Sequence, residues 1–182
     1  NIRKPDVLEK IVQALAFQVG SEVSYNEIAQ LVGVDKNTVS DYIDLLEKSF
    51  VIFRLNSFSK NLRNEIKTNR KIYFYDNGIR NMVIGNFSPF EMRQDKGALW
   101  ENFMISERQK VLNLKLSSAK SYFWRTTSQQ EIDYVEVENN ELKAVEFKWS
   151  DQKKAILPKT FAEAYHPDFL VVTKSNFREF LK

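Results

Sequence analysis

The stretch from Gln130 to Lys148 reads QEIDYVEVENNELKAVEFK. Apolar and polar residues alternate on both sides of the pair Asn139–Asn140, which is the pattern of two β-strands joined by a tight turn. Asparagine tolerates the positive φ angles that a two-residue turn requires. The sequence therefore predicts a β-hairpin centred on this pair.

A turn at this position determines which residues of the two strands face each other, and strand alternation places the facing pairs on one side of the sheet. These pairs are Val137 with Leu142, Val135 with Ala144, Asp133 with Glu146, and Glu131 with Lys148. The shared face is apolar near the turn and charged away from it. Two carboxylates opposite each other repel, so a fold keeps them where a cation lies between them, and a divalent metal is the usual candidate.

Asp133 followed by Glu146-Phe147-Lys148 resembles the PD-(D/E)XK nuclease-like core, although Ile132 stands where that core has proline. The resemblance implies that Asp133 and Glu146 bind Mg²⁺ or Mn²⁺ and that Lys148 positions or activates water. All three are candidate catalytic residues. It also implies that Glu101, on the helix before the sheet, is a further metal ligand. The alternative for Glu101 is a first-turn glutamate favoured by the helix dipole.

Three further runs resemble the uncharacterised C-terminal domain of AAA-type ATPases of bacteria and archaea. They are KIYFYDNG at 71–78, GALWEN at 97–102, and FWR at 123–125 continuing to Asp133. The resemblance implies that the parent ATPase domain, or another protein, is a partner. The chain begins with Asn and has no Gly-rich phosphate-binding loop. We therefore expect a fragment of a longer protein, with ATP bound only in a region before residue 1.

The first third of the chain has the spacing of a winged helix-turn-helix. A helix is predicted over 6–17, a second between the capping residue Ser24 and Gly33, and a third after the capping residue Asp35. Strands over 50–55 and 71–75 complete the motif. The start of the third helix carries the candidate DNA contacts Lys36, Asn37, Thr38 and Ser40.

Residues 54–71 contain six basic residues against one glutamate, a local charge of +5 in a chain whose net charge is +3. Such an excess predicts a surface that faces a polyanion. We expect an exposed loop at 57–70 between two paired strands, which would form a basic wing. The alternative is a solvated loop. The candidate nucleic-acid contacts of the wing are Lys60, Arg63, Lys67 and Arg70.

The second half of the chain is predicted to contain a helix over 97–113, a strand over 121–125, the hairpin, a helix over 153–165 and a strand over 169–173. Pro158 is expected to delay the start of the helix over 153–165. This is the order of a restriction-endonuclease-like α/β core. A Gly-, Ser- and Pro-containing stretch at 85–89 predicts a domain boundary. The expected fold is α/β, or α+β overall, with a winged helix-turn-helix at 1–84 and a nuclease-like domain at 85–182.

The amino-acid composition excludes several kinds of protein and of metal site. The chain has 182 residues, 43% of them hydrophobic, which suffices for a sizeable core. Cysteine is absent, which excludes disulfides and thiolate metal sites and fits a cytoplasmic protein. His166 is the single histidine, so a histidine metal cluster is excluded. No run approaches the ~18 apolar residues of a membrane span.

Two functions stay open at this point. The chain is a metal-dependent nuclease that cuts DNA, or it is a non-catalytic module that recognises DNA or a protein for its parent ATPase.

Overall fold

One six-stranded sheet runs through both halves of the chain. The computed structural model describes residues 4–59 and 70–182. Within them the strands are β1 (Ile52–Ser57), β2 (Arg70–Phe74), β3 (Lys120–Arg125), β4 (Glu131–Glu138), β5 (Glu141–Phe147) and β6 (Asp168–Val172). The helices are α1 (Pro5–Phe17), α2 (Tyr25–Val32), α3 (Lys36–Lys48), α4 (Asn77–Val83), α5 (Lys96–Leu114), α6 (Lys159–Tyr165) and α7 (Phe177–Phe180). A 3₁₀ turn spans Phe90–Met92.

The strands lie in the order β2-β1-β3-β4-β5-β6. β1 pairs antiparallel with β2 and parallel with β3, through Asn56 opposite Tyr122 and Ser57 opposite Phe123. β3, β4 and β5 form an antiparallel meander, and β6 lies parallel to β5. The result is a mixed α/β fold. Because β1 and β3 pair, strands from 1–84 and 85–182 share one sheet, and the division into two domains stays a prediction.

The N-terminal helices begin and end where local chemistry predicts. The Glu27 N–H donates to the Ser24 side chain, and the Thr38 N–H donates to Asp35, so each cap satisfies a free donor at a helix start. Gly33 ends α2 with a φ of 76°, a conformation that glycine adopts without steric cost. Val39, Ile43 and Leu46 form the buried stripe of α3.

The predicted hairpin is confirmed, and so is its register from the turn as far as Tyr134. Asn139 and Asn140 have φ angles of 51° and 67°, as a tight turn between twisted strands requires. Val137 lies opposite Leu142, and the pairing continues as far as Tyr134 opposite Val145. Beyond that point the Phe147 N–H donates to the Asp133 carboxylate at 2.9 Å. A side chain thus replaces the backbone partner at the charged end of the hairpin.

Helices cover the two faces of the sheet. The larger core contains Trp100, Met104 and Ile105 of α5 packed with side chains of the sheet, including Phe123 and Tyr134. The smaller core packs Phe161 of α6 against Trp124, Ile132, Val135 and Ala144. α6 begins at Lys159, directly after Pro158 and later than residue 153, because proline tolerates the first turn of a helix but not its interior. Across residues 4–59 and 70–182, no helix combines the length and apolar character of a membrane span.

Asn102 joins the two halves of the structure. It is fully buried on α5, and its Oδ1 accepts from the Phe74 N–H at 2.8 Å. Its Nδ2 donates to the Phe74 carbonyl at 3.0 Å and to Asn77 Oδ1 at 2.9 Å. One amide therefore satisfies both backbone groups at the end of β2, where the strand gives way to α4.

Replacing Asn102 with alanine should lower the free energy of unfolding by about 2 to 4 kcal/mol, because buried backbone groups lose their partners. Urea denaturation monitored by circular dichroism measures this change. Asn113→Ala, at an exposed position of the same helix, is the matched control and should change stability by less than about 0.5 kcal/mol. Equal stability of the two variants would contradict the role assigned to Asn102.

Candidate active site

A polar pocket of about 450 Å³ opens where α5 begins and β5 ends. Its lining includes Glu101 from α5, Asp133 from β4, and Lys148 and Trp149 from the segment after β5. These elements place side chains that are distant in sequence around one cavity. Glu101, Asp133 and Lys148 are residues that the sequence singled out, and the fold brings them together.

Lys148 links the two carboxylates of the hairpin. Its Nζ lies 2.6 Å from Glu146 Oε2 and 3.6 Å from Asp133 Oδ2. Burial acts to lower the pKa of Lys148, but the charges of Asp133 and Glu146 outweigh it and the pKa is raised. Lys148 is therefore an ammonium group at neutral pH, suited to donating hydrogen bonds and stabilising negative charge.

Glu146 is 9% exposed and carries its charge beside another carboxylate. Burial raises the pKa of Glu146, and the neighbouring charge of Asp133 raises it further against the opposing effect of Lys148. The repulsion between facing carboxylates that the sequence predicts thus contributes to the raised pKa, but burial is the larger cause.

Glu101 points away from solvent into the pocket wall, with 16% of its side chain exposed. Its Oε1 accepts hydrogen bonds from the Tyr73 hydroxyl at 2.6 Å and from Lys71 Nζ at 3.3 Å. Burial raises the pKa of Glu101 to about 7, with Lys71 opposing and Asp133 reinforcing the shift. Because α5 begins at Lys96, Glu101 lies beyond the first turn, and the helix-dipole alternative is wrong.

Glu131 does not take the position that the sequence predicts. We expected it to face Lys148, but it forms ion pairs with Lys71 at 2.5 Å and with Arg125 at 3.7 Å. The hairpin ladder ends at Tyr134 and Val145, so the register that would bring Glu131 to Lys148 is not maintained.

Sequence reasoning missed Lys71 and Tyr73 as part of this cluster. Lys71 is 1% exposed, and Tyr73 is fully buried, although both lie in a strand far from the hairpin. Burial raises the pKa of the Tyr73 hydroxyl well above its usual value, which keeps it a proton donor to Glu101. The available signal was a lone lysine at the head of the apolar strand KIYF, where a charged side chain needs a buried partner.

The carboxylates fit a divalent cation only in part. Among the described residues, no group of three His, Cys, Asp or Glu side chains is arranged to hold a metal. Hydrogen bonds with side chains and backbone engage Oε1 of Glu101 and Oδ2 of Asp133. Their opposite oxygens are the candidate ligands for a cation in this pocket. Glu146 would join them once a cation replaces its contact with Lys148.

The predicted DNA contacts divide into three groups. Lys36, Ser40 and Arg70 line one groove of about 260 Å³ together with residues at the start of α2. Asn37 is exposed at the start of α3, whereas the Thr38 hydroxyl donates to Asp35 at 2.6 Å and serves the helix cap instead of a phosphate. Lys60, Arg63 and Lys67 lie outside the described residues.

Two basic residues of the segment 54–71 form ion pairs within the protein. Arg54 pairs with Asp44 at 2.8 Å and also with Glu47, and Lys71 is buried in the carboxylate cluster. Neither is available to a polyanion. The same contacts neutralise Asp44, which the sequence places on the candidate recognition helix. Arg70, beside Lys71 on β2, is the basic residue of this strand that lies at the groove.

Comparison with known proteins divides the chain near the predicted boundary. Residues 1–89 are similar to a domain of unknown function (DUF8612), and residues 96–181 to another domain of unknown function (DUF4143). An uncharacterized protein of Haemophilus influenzae is 29% identical over 89 residues, a match that covers 46% of this chain and 22% of that protein. The chain thus corresponds to about a fifth of that relative's length. No solved structure matches the chain.

The raised pKa of Glu101 predicts a pH-dependent stability. Between its ordinary pKa of 4.5 and about 7, the native state binds more protons at this carboxyl than the unfolded state does. Stability should therefore fall as the pH rises through this window. Since one pKa unit corresponds to about 1.4 kcal/mol, the loss should be on the order of 2 to 3 kcal/mol.

Urea denaturation of the wild type and of Glu101→Gln at pH 5 and pH 8 measures this loss, and the variant should lack it. Glu107→Gln is the control, because Glu107 lies on the same helix in an ion pair with Lys110. A Glu101→Gln protein that loses as much stability as the wild type would contradict the assignment.

Proposed function

We propose that this chain is the nuclease-like, DNA-binding C-terminal part of a cytoplasmic AAA-type ATPase and acts as a metal-dependent DNA phosphodiesterase. The observation that supports this proposal is the contact of one ammonium, Lys148, with the carboxylates of both Asp133 and Glu146. Glu101 reaches the same pocket from α5. The ammonium of Lys148 thus lies beside the two carboxylates, where the nuclease-like arrangement would use a lysine to position water or stabilise phosphate charge.

The residues divide the chemistry among them. Asp133, Glu146 and Glu101 would hold Mg²⁺ or Mn²⁺, which when bound lowers the pKa of a coordinated water and neutralises phosphate charge. Lys148, protonated at neutral pH, would orient the attacking water or donate to the phosphate oxygen on which charge develops.

The pocket rim suits a phosphodiester. Lys96 and Lys153 line the pocket with Lys148, so three lysines share one cavity with Glu101 and Asp133. Positive potential at a cleft attracts anionic substrates and raises their local concentration. An opening lined by lysines with carboxylates inside favours a phosphate-containing substrate over a neutral one.

The connection to an ATPase rests on the second half of the chain. The family that residues 96–181 resemble is commonly found in the C-terminal regions of AAA-type ATPases. Three helices followed by a β-hairpin fit a winged helix-turn-helix, in which the groove beside α3 would contact DNA. In this arrangement the N-terminal half binds the duplex and the C-terminal half carries the phosphodiesterase site.

A second function, recognition without catalysis, has one observation in its favour. The pocket charges are compensated within the protein, since Lys148 lies between Asp133 and Glu146 and Lys71 between Glu101 and Glu131. A compensated cluster is stable without a cation. In that case the chain would bind DNA or a protein for its ATPase and cut nothing.

Titration with Mn²⁺ during thermal melting separates the two functions. A ligand bound only by the native state raises the melting temperature, roughly 5 to 10 °C at 100 times its Kd for a protein of this size. Asp133→Asn should abolish this rise and leave the metal-free protein as stable as the wild type or slightly more so, because it removes like-charge repulsion. No rise in the wild type would reject the metal site.

Two control variants sharpen the comparison. The control for Asp133→Asn is Asp168→Asn, because Asp168 is exposed on β6, and this variant should keep the full Mn²⁺ response. Lys148→Ala should keep Mn²⁺ binding but lose cleavage of a DNA substrate, whereas Lys120→Ala, at an exposed position of β3, should keep both. Cleavage that survives in Lys148→Ala would reject the role of Lys148.

The groove beside α3 predicts a salt-dependent affinity for DNA. Replacing both Lys36 and Arg70 with alanine should weaken binding to all duplex sequences, because phosphate contacts carry no sequence information. Each lost phosphate contact lowers the slope of log K against log salt by about 0.9, so the slope should fall by about 2. Fluorescence anisotropy at several salt concentrations measures it.

Lys48→Ala, at the exposed C-terminal end of α3, is the matched control and should leave the slope unchanged. An equal slope for the wild type and the double variant would show that this groove does not contact the phosphate backbone.

A further inference from the structure

An aromatic side chain, Tyr25, lines the groove beside α3 together with Lys36, Ser40 and Arg70. Tyr25 is the first residue of α2 and is 8% exposed, so its ring is packed in the larger core at the border of the groove. Within the described part of the chain, no acidic side chain lines this groove. Its two charged lining residues are both basic, as contact with a polyanion requires.

The backbone of Arg70 is fixed against the segment that leads into α2. The Val23 N–H donates to the Arg70 carbonyl at 2.9 Å, and Glu22 forms a β-bridge with Lys71. Tyr25 follows two residues after Val23. The start of β2 and the start of α2 are therefore held side by side by backbone hydrogen bonding, independently of the arginine side chain.

The side chain of Arg70 lies over the ring of Tyr25. The guanidinium carbon is 5.2 Å from the ring centre, within the range of a cation–π contact. Nη1 of Arg70 also lies 3.5 Å from the Tyr25 hydroxyl, which is long for a hydrogen bond, so the ring makes the stronger contact. Across residues 4–59 and 70–182, ion pairs engage Arg54 and Lys71 but not Arg70.

Arg54, on the adjacent strand β1, meets the same tyrosine but is bound within the protein. Burial acts to lower the pKa of Arg54, and its hydrogen bonds to Glu47 and Tyr25 outweigh burial, so the pKa is raised. Asp44 forms a further ion pair with it. Of the two arginines beside Tyr25, Arg70 is thus the one that lines the groove.

We propose that Tyr25 is a positioning residue that holds the guanidinium of Arg70 at the groove for contact with a DNA phosphate. An arginine ordered before binding loses less rotamer freedom when the complex forms, which favours affinity. This inference rests on the proposed function, because it concerns the same groove and the same DNA backbone. It adds that an aromatic side chain of α2 prepares the phosphate contact of β2.

The decisive variant is Tyr25→Leu, which keeps an apolar side chain at a buried position and removes the ring. Loss of a cation–π contact should raise the Kd for duplex DNA roughly 2- to 5-fold. It should also flatten the plot of log K against log salt, by up to the ~0.9 that one phosphate contact contributes. Fluorescence anisotropy at several salt concentrations measures both. Tyr25→Phe keeps the ring and should bind as the wild type does.

A double-mutant cycle separates positioning from a general structural effect. If Tyr25 acts through Arg70, Tyr25→Leu should cause no further loss in an Arg70→Ala background and its full loss in a Lys36→Ala background. If it acts by loosening the fold, the loss should be equal in both. Tyr75→Leu, at a half-buried aromatic position that does not line the groove, is the matched control and should leave the affinity and the salt slope unchanged.

Arg70→Lys tests the same contact without changing the core. It keeps the charge but not the planar group that stacks on a ring. It should weaken DNA binding by a similar factor in the wild type and not in Tyr25→Leu. Where circular dichroism shows Tyr25→Leu to be unfolded, Arg70→Lys in the wild-type background decides the question, and unchanged affinity would overturn the inference.

The failure of this inference differs from the failure of the proposed function. DNA binding by the wild type that is weakened in Tyr25→Leu, restored in Tyr25→Phe and dependent on Arg70 supports the inference. Wild-type binding that Tyr25→Leu leaves intact, or weakens equally without Arg70, would overturn the inference and leave DNA binding standing. Absence of DNA binding by the wild-type protein would overturn both.

Discussion

Four carboxylates converge beside α5, and the charges of two lysines make that convergence tolerable. Lys71 interacts with Glu101, Glu131 and Asp133, and Lys148 with Asp133, Glu146 and Glu101. Carboxylates withdrawn from water without such partners would protonate or destabilise the fold. The cluster is thus one coupled system, in which the position of each ammonium depends on the acids around it. A cation entering the pocket would compete with Lys148 for the same oxygens.

This cluster depends on the parallel contact between β1 and β3. That short pairing fuses the N-terminal hairpin to the meander, and it brings β2 close enough to β4 for the side chain of Lys71 to reach Glu131. Asn102 ties the end of β2 to α5, the helix that carries Glu101. The two regions that family comparison separates are therefore one packed body around the candidate site. The same strand, β2, supplies Lys71 to the carboxylate cluster and Arg70 to the groove beside α3.

Local sequence predicts much of this fold because its decisive interactions are local. The caps at Ser24, Asp35 and Asp76 each involve a backbone N–H three residues further along the chain. The Asn139–Asn140 turn determines the hairpin register for the same reason, since a two-residue turn leaves one way to pair the strands. The register in turn brings Asp133, Glu146 and Lys148 together, so the heart of the candidate site is also predictable.

The rest of the site depends on contacts between distant segments, which alternation and spacing do not encode. By itself the sequence determined the helices, the hairpin, and the juxtaposition of Asp133 with Glu146 and Lys148. Only the tertiary structure decided that Lys71 and Arg54 form ion pairs within the protein. The sequence had counted both toward a surface that faces a polyanion. It also decided that Glu131 pairs with Lys71 instead of Lys148, because the ladder ends before that register is reached. Which charged side chains are buried, and which ion pairs they form, depends on how distant strands pair in the sheet. The strands β1 and β3, which bring the two halves together, are more than sixty residues apart in the sequence.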